Sequence, residues 1–169
     1  MITLAVAAIL TVIAIPSFKR ITLSNRLSTT ANDLVDAINT ARMAAVKRNT
    51  FAQFCSDVAA NNGGDTLGTA CSAAPLPGAV VELEDAATNA TLKIQAGTSK
   101  LTTPLQVSGT IQAVRFDGQG LGRPVGSTGV MTGVVADICT SQMSSDNHRV
   151  ISITTGTIVT TATTSGSCP

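Results

Sequence analysis

The chain carries a single histidine, His148, set between Asp146 and Arg149 in a polar stretch. A histidine beside an aspartate is part of the arrangement that activates a serine or cysteine nucleophile, provided the nucleophile comes within hydrogen-bond reach. No nucleophile-elbow or comparable motif accompanies it, so His148 reads as a solvated turn residue. Cys55 is the other nucleophile candidate, and a disulfide there would remove its reactivity. Residues 57–65 hold Asp57, Asn61, Asn62 and Asp65, whose oxygens suit calcium. Their spacing is not that of an EF-hand loop, and Asn-Gly turns form readily without metal. Gly118-Gln119-Gly120-Leu121-Gly122 resembles a phosphate-cradling loop but lacks the strand–loop–helix context and the Walker lysine. No catalytic, cofactor-binding or metal-binding residue is assigned on this basis, and the chain is read as not an enzyme.

Phosphate recognition is the remaining chemistry. Lys93, Lys100, Arg115, Arg123 and Arg149 lie in the later part of the chain but are dispersed in sequence. Phosphate binding draws on clustered charge. Arg115, Arg123 and Arg149 are therefore candidate DNA contacts only if the fold gathers them. Lys+Arg 11 against Asp+Glu 10 gives a net charge of +1, with 12% of the 169 residues charged. That balance excludes an ordinary basic nucleic-acid module and an acidic solvating tail. Aromatic residues make up 2%, all phenylalanine, so the sequence offers almost no stacking platforms for bases or sugars.

The elements that must position these residues divide sharply. Residues 1–18, MITLAVAAILTVIAIPSF, contain no charge and are followed at once by Lys19 and Arg20. About 20 apolar residues cross a bilayer, so this run reads as a membrane or filament-core helix segment, slightly short as given. It lacks the positive region and cleavage site of an ordinary secretory signal. Residues 19–48 read as an amphipathic continuation. Leu27, Ala31, Leu34, Ile38, Ala41 and Ala45 recur at steps of four and three on one face, for a sheet or a coiled-coil partner. Pro16 removes one backbone hydrogen bond, which predicts a bend or a loosened turn at 14–16.

From residue 49 to 169 Gly, Thr, Ser and Val dominate and helical periodicity ends. Strands are expected at 79–83, 91–95, 110–116, 130–139, 150–153 and 157–161, separated by Asn-Gly, Pro-Gly and Asp-Gly turn signals. The fold class is thus α+β, one long N-terminal helix followed by an antiparallel β-sheet domain. Four cysteines allow three pairings, and none forms a C-x-x-C motif. Outside a membrane an even count favours disulfides. Cys55–Cys71 and Cys139–Cys168 are the expected pairs because each would staple an irregular segment to a regular one. The second would hold a terminus that otherwise frays.

Three stretches together resemble the type IV pilin-like proteins, and within them the GspH/FimT group of minor pilins and pseudopilins. Residues 1–18 resemble the membrane half of a pilin helix, with Pro16 at the helix-loosening proline. AINTARMAAVKRNT, residues 37–50, is similar to the helix end of that group in its A-R-x-x-A-V-x-R pattern. VRFDGQGLGRP, residues 114–124, resembles its strand and F-x-x-x-G turn. The resemblance implies a pilin-like fold, a helix held in the bacterial inner membrane and then in a filament core, and a globular half facing the periplasm or the filament exterior. It implies other major and minor pilins as partners and a structural, assembly-priming role in a type IV pilus. The alternatives are a type II secretion pseudopilin or a DNA-binding minor pilin for natural transformation. In that last branch a G-R-x-R pattern binds phosphates, whereas residues 155–159 here read Thr-Gly-Thr-Ile-Val. The resemblance also implies a cleaved leader and an F-T-L-I-E-L-like segment, with a methylated N-terminus, immediately upstream of Met1.

Overall fold

The computed structural model describes the backbone of residues 2–74, 76–85 and 88–169, and side chains from Ser17 onward apart from Asp85. The expected loosening at Pro16 and the apolar character of residues 1–16 lie outside the described side chains. A single helix, α1, runs Ile2–Arg48. It forms because no glycine interrupts residues 1–48 and alanine and leucine fill the inward face. It closes with Lys47 and Arg48, cations that suit the negative end of the helix dipole. Among the described residues no helix is long and apolar enough to cross a membrane.

Two antiparallel sheets follow. The first has the order β3-β2-β1-β5-β6, from β1 Ala52–Phe54, β2 Val80–Asp85, β3 Ala90–Gln95, β5 Val114–Phe116 and β6 Gly122–Pro124. The second has the order β4-β7-β8-β9, from β4 Gln106–Val107, β7 Gly133–Cys139, β8 His148–Thr154 and β9 Ile158–Thr164. A short helix, α2, Thr66–Ser72, interrupts the stretch where helical periodicity had been expected to end. Asp65 caps it by accepting a hydrogen bond from Gly68 N–H at 3.0 Å.

The inward face of α1 is Leu23, Leu27, Ala31, Leu34, Ile38, Ala41 and Ala45, all buried. It covers both sheets at once, meeting Ala52, Phe54, Val114 and Phe116 of the first and Val135, Ile138, Ile151 and Ile153 of the second. The repeated alanines allow this close approach, and the helix packs on sheet rather than in a coiled coil. A smaller core of Cys55, Leu67, Cys71, Ala79 and Val81 lies under α2. Thr110 to Ala113 stay outside the strand expected at 110–116. Ile111 N–H instead donates to Asp57 Oδ1 at 2.8 Å, and Gln112 N–H to the Val135 carbonyl at 2.7 Å.

Candidate functional site

The helix-end pattern and the strand-and-turn pattern meet in space. Arg42, from the A-R-x-x-A-V-x-R pattern, passes over Gly120, from the F-x-x-x-G pattern. A Cβ added at Gly120 would lie 3.0 Å from Arg42 Nε and 3.0 Å from Val46 Cγ2. Gly120 also has φ of +76°, so glycine is required there twice over. Arg42 Nη1 then donates to the Thr157 carbonyl at 3.2 Å, in the turn between β8 and β9. The last arginine of the pattern, Arg48, places Nε 2.8 Å from Glu82 Oε1. Glu82 lies at 1% exposure on β2, so its charge depends on this partner.

Two further ties lie nearer the start of the helix. Arg20 pairs with Asp146 at 3.1 Å and donates to Ser145 Oγ at 3.0 Å, in the loop between β7 and β8. Arg149 projects from β8 into the helix face and is 7% exposed. Its Nε donates to Ser28 Oγ at 3.2 Å and its Nη2 to Ser24 Oγ at 3.0 Å. Its Nη1 donates to the carbonyls of Asp146 and His148 at 2.8 and 2.9 Å. Four of the five guanidinium N–H groups are thus committed within the fold, and Arg149 ties the helix to the sheet.

The fold does bring Arg115 and Arg123 together, as cross-strand partners on β5 and β6. Neither is uncommitted. Arg115 donates to both carboxylate oxygens of Asp65, at 2.5 and 2.8 Å, and to Gln53 Oε1. Arg123 stands 3.6 Å from Asp117 and donates to the Thr128 carbonyl. The hydrogen bond from Arg115 holds the Asp65 carboxyl below its ordinary 3.8, against the opposing effect of partial burial, with help from Gly68 N–H. A surface hollow lined by Phe51, Arg115, Asp117 and Arg123 lies here. Its cations are matched by carboxylates, which weakens it as a polyanion site.

His148 corrects the expectation of a solvated turn residue. It opens β8 at 5% exposure, with Nδ1 2.9 Å from Asp137 Oδ2 across the β7–β8 pair. Its Nε2 is buried, has no hydrogen-bond partner among the described residues, and faces Gly166. Among the described residues no nucleophile is placed on it. Gly166 belongs to a final segment that leaves β9 and crosses back over the sheet. Asn147 clasps it, donating to the Gly166 carbonyl at 2.9 Å and accepting from Gly166 N–H at 3.1 Å. Cys168 is then bonded to Cys139 on β7, and Gln106 on β4 donates to the Pro169 carbonyl. The other disulfide joins Cys55, just after β1, to Cys71 on α2. Among the described residues no group of three or more His, Cys, Asp or Glu is placed to hold a metal ion.

What the sequence reading missed here is Arg149. The signal was present: period-two alternation along HRVISIT puts Arg149 in phase with Ile151 and Ile153 on the inward face. Its serine partners sit four residues apart on α1, at Ser24 and Ser28, on one side of the helix.

The arrangement as a whole is a long helix held to two sheets by distributed arginine ties. A family model described as type II transport protein GspH matches residues 30–157. No curated protein and no solved structure matches the chain.

Proposed function

The chain belongs to the GspH family, pilin-like subunits of type II secretion or pilus systems, and we propose that it acts as a minor pilin, a structural and assembly-priming subunit of a type IV pilus. One observation carries this reading. The helix that packs on both sheets from Leu23 onward continues back without interruption to Ile2, into the uncharged run of residues 1–18. A helix apolar on all sides is stable among lipid tails or among like helices, and can pass from one to the other at modest cost. In this reading residues 1–18 hold the subunit in the inner membrane and then in the filament core, alongside other major and minor pilins. The globular half lies first in the periplasm and then on the fibre, where its two disulfides suit an oxidising compartment.

A second reading, the corresponding pseudopilin of a type II secretion system, draws on the family's own description. Mass spectrometry of the native N-terminus, from membrane and sheared-fibre fractions, tests the proposal. A methylated phenylalanine leading through a T-L-I-E-L-like segment into Met1, recovered from sheared pili, is the expected result. An unprocessed N-terminus, or a chain that never leaves the membrane fraction, would count against it. Recovery only with a secretion apparatus would transfer the role to the second reading.

A further inference from the structure

Among the described residues four strands lie at sheet edges: β3 and β6 in the first sheet, β4 and β9 in the second. Edge strands expose alternate unpaired N–H and C=O groups, and proteins usually blunt them with charge, proline, bulges or shortness. Three of the four are blunted. β3 carries Lys93 and pairs with β2 through register shifts. β6 is three residues long and contains Arg123 and Pro124. β4 has two residues. β9 has none of these devices. Its seven residues, IVTTATT, contain no charge, glycine or proline, and its seven pairs with β8 run without a shift. Most of them are exposed, and β-branched side chains dominate. Such a strand is a template for another strand.

The polarity of the fold restricts which strand. Arg20 meets Asp146, Ser24 and Ser28 meet Arg149, and Arg42 meets Thr157. From Arg20 to Arg42 the helix advances about 33 Å. Residues 146 to 157, if fully extended, span about 36 Å. α1 therefore lies alongside β8 and points the same way, and β9 runs against it. Two copies of β9 paired antiparallel would be related by a two-fold axis normal to the sheet, which sets the two α1 helices in opposite directions. Subunits anchored in one membrane or packed in one filament have their helices in the same direction, so that symmetric pair is excluded from the assembly.

We propose that the free edge of β9 accepts an extended, uncharged strand from a different subunit of the same assembly, running antiparallel to β9 and so in the direction of α1. Backbone hydrogen bonds supply the attachment. The threonine-rich faces select a partner strand without charge, since a lysine or glutamate there would meet no counter-charge. This inference rests on the assembly role proposed above.

The test uses the full chain in its native host with a photo-cross-linking amino acid at position 163, and a second chain with it at position 93 on β3. Irradiation is followed by mass spectrometry of membrane and sheared-fibre fractions. The expected result is an adduct from position 163, absent from position 93, to an extended segment of another pilin-like subunit. Thr160→Pro and Thr161→Pro are made in the same background. Because outward N–H groups alternate, one variant removes an outward donor and the other an inward one. Loss of the adduct in the outward variant, with both disulfides formed, completes the expected pattern. An adduct to a second copy of this chain, no adduct from chains recovered in fibres, or an adduct undiminished in both variants would overturn the edge proposal alone. A chain absent from every fibre fraction would overturn the assembly reading, and this proposal with it.

Discussion

Arg149 and Ser24 are 125 residues apart in sequence and joined by a 3.0 Å hydrogen bond, a strand arginine donating into the face of the long helix. With Ser28 and two backbone carbonyls, Ser24 engages four of the five N–H groups of a buried guanidinium. Arg149→Ala removes the donor to both carbonyls and opens space beneath α1. The expected loss is about 2–4 kcal/mol, most of it from orphaned acceptors. For a chain of this size that lowers the melting midpoint by roughly 5–15 °C. Arg149→Lys, which keeps the charge but loses the fork, should fall between. Thermal melts by circular dichroism of the detergent-solubilised chain decide it, and an unchanged midpoint for Arg149→Ala would refute the tie.

Gly120→Ala should destabilise through two effects that a control separates. The position combines positive φ with close approach to Arg42 and Val46, whereas Gly126 has φ of +77° and open space around it. Gly126→Ala should therefore cost about 1 kcal/mol, from backbone strain alone. Gly120→Ala should cost about 2–3 kcal/mol, since the helix or Arg42 must also shift. Denaturant titrations of the two variants give the comparison, and equal losses would show that the helix contact is unimportant.

Among the described residues Arg48 is the one side chain that forms an ion pair with the buried Glu82 carboxylate. Arg48 is itself half-exposed, so the pair is screened on one side. Arg48→Ala is expected to cost about 2 kcal/mol because it leaves a buried charge without a partner. Glu82→Gln in that background should recover at least half of the loss, giving a coupling of about 1 kcal/mol in the double-mutant cycle. Additive losses would mean that the two residues act separately.

The Asp65–Arg115 contact gives stability a defined acid limb. Because the folded Asp65 carboxyl titrates below its ordinary 3.8, the native state binds fewer protons in that range. The contribution is fully present above about pH 5 and is lost as pH falls through the folded value. Asp65→Asn keeps a side chain able to cap α2 and removes the charge. The variant should be less stable than the wild type at pH 7, with the gap closing towards pH 2. A gap independent of pH across urea titrations at pH 7, 5, 4 and 3 would show that the charge is irrelevant.

The inward face of α1 was legible because a 3.6-residue period repeated over six positions leaves little freedom, and every one of Leu27, Ala31, Leu34, Ile38, Ala41 and Ala45 is buried. β7, β8 and β9 were legible in the same way, through β-branched alternation. β1 was not. Its three residues are all buried and include Gln53, so it shows neither alternation nor apolar character. Gln53 is tolerated because its Nε2 donates to the Asn62 carbonyl and its Oε1 accepts from Arg115. β6 reads Gly-Arg-Pro, a turn signature, and forms a strand only because it is an edge. α2 was hidden by Gly68 and two threonines, with Asp65 as its one visible cue. At the site, the patterns around Arg42 and Gly120 were recognised separately, but their contact joins residues far apart in the chain, which no local period can report.

The alignment of α1 with β8 also sets how the molecule bears load. The ties at Arg20, at Ser24 and Ser28, at Arg42 and at Arg48 are spread along the helix, and neither disulfide includes a residue of α1. A pull along the helix axis stretches every tie at once, in shear. A pull away from the sheets opens them one after another, as a zipper opens. The same weak contacts therefore resist tension along the helix axis far better than peeling across it, and they do so with no disulfide between helix and sheet.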